Sequence, residues 1–208
     1  MKSRVLLRVI NERNHAWKEG VRSIVNGGAV VCIASGPSLT PEDVAVVKDW
    51  RDKGGGRVFV ANTTFRTAPW ADLLFAIDAN WWGVHAAEVE RDFKGACYAM
   101  KDAQTNAVKL NMRQFYPWGN TGAAIVALAM HGGAKRVVML GYDCQHTGGQ
   151  THWHGNHPAP LGNAGSVDKW AGQFRTMARV VGQRTQVFNA SRQTALTCFQ
   201  RAPLEECL

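Results

Sequence analysis

The chain has no C-x-x-C pair, and its five cysteines (Cys32, Cys97, Cys144, Cys198, Cys207) are odd in number and widely scattered. That pattern excludes a disulfide framework and a zinc-finger site, and it leads us to expect a reducing, cytoplasmic setting. No apolar run approaches the roughly 20 residues of a membrane span. The basic N-terminal stretch has only short apolar segments, broken by Arg8, and does not fit a secretory signal. There is no internal repeat, linker or low-complexity segment, so residues 1–208 read as a single domain. Lys and Arg outnumber Asp and Glu by 24 to 16, yet no block of five or six like charges occurs. The net charge of +8 permits an anionic partner: a nucleotide, a phosphorylated sugar, nucleic acid or an acidic membrane surface. It selects none of them, and a merely soluble basic surface accounts for it equally well.

What is present is an alternation of short β-rich runs with helical stretches. This predicts an α/β fold, Rossmann-like, with a mostly parallel sheet and helices on both faces. Strands are expected at 29–34, 57–61, 72–77, 96–100, 136–140 and 185–188. Helices are expected at 12–26, from Thr40 (N-cap) and Pro41 to about Lys53, at 80–93, from Asn120 or Thr121 to Gly132, and at 166–182. Residues 101–119 show no period.

The candidate chemistry lies where strands end. Ser35, Gly36, Pro37 and Ser38 form a turn between a strand and a capped helix, a place where unpaired N–H groups and the helix dipole attract anions. The turn matches neither the dinucleotide fingerprint nor the P-loop, and a plain tight turn is its structural alternative. Asn62 and Asp78 follow the next two strands and converge on the same sheet edge. Asn120, Thr121 and Gly122 open a second helix. The 141–160 segment, GYDCQHTGGQTHWHGNHPAP, carries Asp143 and four of the seven histidines. Clustered imidazoles suit proton transfer, metal binding or phosphate contact. His152, His154 and His157 could ligate a metal with Asp143, but no matching carboxylate spacing supports this, so acid/base use ranks above it and no metal site is assigned. Trp70, Trp81, Trp82, Trp118 and Trp153 lie in or near these loops, as core or as stacking platforms.

In this order, the segments resemble the bacterial sialyltransferase family of the Campylobacter lipooligosaccharide enzymes. They also resemble 6-hydroxymethylpterin diphosphokinase-like proteins and small phage and prophage proteins. The resemblance is carried by Gly36-Pro37-Ser38-Leu39, Asn62, Thr121-Gly122, the run from Ala134 to Asp143, and His-x-x-Gly-x-His at 152–157. It covers a core of about residues 28–192. It implies a transferase taking a nucleotide donor and a hydroxyl acceptor, with a cytidine nucleotide-sugar first and ATP with magnesium second. It assigns nucleotide contacts to Ser35, Gly36, Ser38, Asn62 and Thr121, with His157, or else His154, as general base. Ser35 and Asp78 stand where the sialyltransferases have Asn, and the loop from Asp143 to His152 is shorter. A non-catalytic nucleotide- or nucleic-acid-binding protein is the remaining alternative.

Overall fold

A computed structural model describes residues 16–162, 165–181 and 185–208. The N-terminal stretch, read as not fitting a secretory signal, and the first residues of the 12–26 helix lie outside the described residues. Eight strands form one sheet: β1 Ala29–Ile33, β2 Gly56–Ala61, β3 Leu73–Ala76, β4 Ala96–Met100, β5 Val108–Leu110, β6 Arg136–Leu140, β7 Gln186–Asn189 and β8 Gln200–Arg201. Every pairing is parallel, in the order β5-β4-β3-β2-β1-β6-β7-β8. The chain steps outward from β1 to β5, returns to β6 on the other side of β1, and steps outward again. The carboxyl ends of β1 and β6 therefore flank the topological switch point, where open α/β sheets bind ligands.

Residues 16–25 form helix α1, followed by α2 Pro41–Asp52, α3 Ala79–Asp92, α4 Thr121–His131, α5 Val167–Val181 and α6 Leu204–Cys207. The strands alternate between the two faces of the sheet, and both faces are covered. Val30, Cys32, Phe59, Val137 and Met139 pack with α1, α4 and α5. Val31, Ile33, Val58, Val60 and Leu140 pack with α2, α3 and α6. Continuous apolar strands are what double coverage requires, and each such side chain contributes roughly 1.5–3 kcal/mol when fully buried.

Local chemistry sets the helix starts. Thr40 accepts from Asp43 N and Asp43 returns the bond to Thr40 N, a capping box with Pro41 at the first position. Asn120, the cap of α4, accepts from Ala123 N at 3.1 Å. Four elements were not anticipated: β5, the 3₁₀ turn Asn62–Arg66, and the C-terminal pair β8 and α6. At two to five residues, each is too short to show a period. The C-terminal segment lays β8 against β7 and buries Leu204 and Cys207.

Candidate functional site

The switch point is built on a contact between two turns. After β1, Gly36 N donates to Gly141 O at 2.8 Å, and Ala34 N donates to Leu140 O. A Cβ on Gly36 would collide with the Asp143 carboxylate and the Gly141 carbonyl, so only glycine allows this approach. Asp143 is 1% exposed and accepts from Ser38 N (3.0 Å), Ser38 Oγ (2.7 Å) and Thr147 Oγ1 (2.8 Å). The carboxylate thus ties the first turn to the histidine-bearing segment. Thr147 and Gln150 then close a short antiparallel bridge, with Gly148 and Gly149 at positive φ between them.

That bridge returns the chain over the end of β1. Trp153 N donates to Ser35 O at 3.0 Å, and the Ser35 hydroxyl shares a 2.9 Å hydrogen bond with His152 Nδ1. His152, His154 and His157 form a triangle, with ring centroids 4.9 to 5.1 Å apart. Burial lowers the pKa of all three, to about 4 for His152 and His154, where repulsion from neighbouring imidazoles of the triangle adds to it. His157 is lowered further by His85 and raised by the Asp78 carboxylate. His152 and His154 are therefore neutral at pH 7, and burial shifts His157 toward the neutral form. Asp143 is committed to Ser38 and Thr147, and among the described residues no group of three His, Cys, Asp or Glu is placed to hold a metal ion.

Depressed imidazole pKa values carry a stability consequence. Between about 4 and the usual 6.5 the unfolded chain takes up protons that the folded His152 and His154 refuse. Their stabilising balance is complete above pH 6.5 and is lost as pH falls toward 4. The expected result is a lower melting midpoint at pH 5 than at pH 7. A His152→Asn/His154→Asn double variant should show a smaller drop, and an identical drop in both proteins would refute the assignment.

A cleft of about 440 Å³ opens above these turns. Of the residues singled out from the sequence, Ser35, Gly36, Asn62, Asp78, Asn120, Thr121, Gly122, Asp143 and His157 line it. Pro37, Ser38 and His154 do not: Ser38 turns its hydroxyl to Asp143, and His154 stands behind His152 and His157. Asn62 adopts φ 50°, a left-handed conformation Asn tolerates, and its Oδ1 is buried without a hydrogen-bond partner in the protein.

His152, one of the clustered imidazoles, also lines the cleft. Trp170 and Phe174 lie in the helix expected at 166–182 without being singled out, and both reach the cleft. The five tryptophans near the loops, expected as core or as stacking platforms, are packed outside the main cleft. Trp82 is fully buried, Trp70 and Trp153 pack on the α2–α3 face, Trp118 packs on the α4–α5 face, and Trp81 faces a neighbouring cleft. The signal for Trp170 was its position in the first turn of a helix that follows the histidine segment.

No family model and no curated protein sequence matches the chain. Among solved structures, it is similar to the MAf glycosyltransferase of Magnetospirillum magneticum AMB-1, with a TM-score of 0.61 and 15% identity over 85% of this chain. The chain spans about a third (34%) of the length of that protein. At this identity the likeness is one of fold: a single parallel sheet of Rossmann type, of the kind found in a glycosyltransferase.

Proposed function

We propose that the protein is a glycosyltransferase-like enzyme that takes a cytidine nucleotide-sugar in the 440 Å³ cleft and uses His157 as general base. The observation that carries this reading is convergence. Segments from four strand ends and one helix start meet in one cleft at the switch point, with a neutral imidazole on its wall.

The chemistry follows from the parts. The first amides of α4, at Thr121 and Gly122, precede any intrahelical bond and suit the donor phosphate. Asn62 Oδ1 offers an unpaired acceptor to the nucleoside. Trp170 supplies an aromatic wall. His157 takes the proton from the acceptor hydroxyl as that oxygen attacks the anomeric carbon of the donor. The bond from that carbon to the phosphate oxygen breaks, and the phosphate leaves with the electron pair, stabilised by the helix N-terminus.

No Lys or Arg is among the described residues lining the cleft. This suits a donor with one phosphate better than ATP, whose three phosphates call for cations or a bound metal. The test is a thermal-shift titration with CMP and with ATP, each with and without magnesium. CMP should raise the midpoint equally in both conditions, by mass action. A shift with ATP and magnesium alone would favour diphosphate transfer instead. No shift with any nucleotide would remove the nucleotide-donor reading.

A further inference from the structure

Beside the main cleft lies a second one, of about 270 Å³. The two share Asn62, Asp78, His157 and Gly162. The walls belonging only to the smaller cleft are Asn80, Trp81, Pro160 and Leu161. We propose that this smaller cleft seats the acceptor and selects a neutral, ring-shaped polyol, such as an uncharged sugar residue. The proposal rests on the donor reading of the larger cleft.

The first argument is position. A general base must reach the acceptor hydroxyl while the donor carbon stands next to it. His157 lines both clefts, as that role requires. The second is size. The smaller cleft falls below the roughly 300–1,000 Å³ typical of sites for drug-sized ligands, so it suits a single ring and not a second nucleotide.

The third argument is chemistry. The lining combines one carboxylate, Asp78, with two amides, Asn62 and Asn80, and contains no Lys or Arg among the described residues. Carboxylates and amides accept from hydroxyls, whereas Asp78 repels an anion. Arg66, a cation whose charge reaches His157, is paired with Glu88 through two hydrogen bonds of 2.6 and 2.7 Å. The remaining wall is apolar and fixed. Trp81 Nε1 donates to Thr63 Oγ1 at 3.1 Å, and its ring meets Trp82 edge-on at 5.1 Å. Trp81 is itself buried and closes the back of the cleft, so Pro160 and Leu161 with the Trp81 edge form an apolar wall between hydrogen-bonding groups, which suits a pyranose with its C–H faces and hydroxyl edges.

The experiment is saturation-transfer NMR on the full chain. The probes are methyl β-D-glucopyranoside, methyl β-D-galactopyranoside and glucose 6-phosphate, with CMP titrated separately. At least one neutral glycoside should bind, with glucose 6-phosphate about tenfold weaker from repulsion by Asp78. Leu161→Trp should fill the cleft and weaken the glycoside about tenfold or more. Asn80→Ala, at an exposed position that should not disturb folding, should weaken it severalfold. Failure of both glycosides, phosphate binding as tight as the glycoside, or full glycoside affinity in Asn80→Ala and a folded Leu161→Trp would each overturn the proposal. If CMP binds and no glycoside does, the acceptor assignment falls alone. If glycoside binds and CMP does not, the donor reading falls, and the cleft stands as a sugar site without the acceptor role.

Discussion

His157→Ala lowers the rate of glycosyl transfer by about a hundredfold or more, the usual contribution of a positioned base. The loss should fall on kcat, because the acceptor hydroxyl keeps its proton in the transition state while the rest of the cleft is unaltered. The pH profile gives an independent check. Burial holds the His157 pKa below its ordinary value, so kcat/KM should be level at pH 7 and fall only on an acid limb below 6.5. Asp78 opposes that lowering. Asp78→Asn removes a charge that favours imidazolium and should move the acid limb to still lower pH. An acid limb that stays in place in His157→Gln would assign the titration to another group. Unchanged turnover in His157→Ala would sink the general-base role.

Asp143→Ala should cost about 2–4 kcal/mol of stability, from buried donors that lose their acceptor. Asp143 accepts from three donors that lose this acceptor when it is gone: Ser38 N, Ser38 Oγ and Thr147 Oγ1. Each donor left unsatisfied in the interior costs about 1–3 kcal/mol. Asp143→Asn should be milder, since one carboxamide oxygen still accepts from Ser38. Urea denaturation reads both variants. Near-wild-type stability in Asp143→Ala would mean that the two turns hold together without the carboxylate. The same variant should weaken the CMP shift, because Asp143 is one of the ties between the Gly36 turn and the histidine segment.

Much of this arrangement was legible in the sequence. The strands flanking the switch point, Ala29–Ile33 and Arg136–Leu140, are continuous β-branched and apolar runs, and the fold buries them on both sides. The cap at Thr40 and the polar residues after each strand were readable for the same reason: a strand end or a helix start restricts which side chains can follow. What could not be read were properties that arise only in three dimensions. Asp143 stood as a candidate beside the histidines, and Ser38, 105 residues away in the chain, decides that it is an anchor. Trp170 carries the periodicity of a core residue and reaches the cleft because α5 starts beside the histidine segment. The triangle of imidazoles depends on a return of the chain at Gly148-Gly149 whose direction no spacing rule specifies.

The outer strands of the sheet carry a consequence for solubility. β5 is Val-Lys-Leu and β8 is Gln-Arg, three and two residues long. A free strand edge is a template on which another chain can add, and short length and a charged side chain both blunt it. Lys109 and Arg201 sit on those edges, while the long apolar strands lie inside, shielded from other molecules. The most adhesive part of the polypeptide is thus kept away from both open borders, and growth by strand addition is discouraged at each end of the sheet.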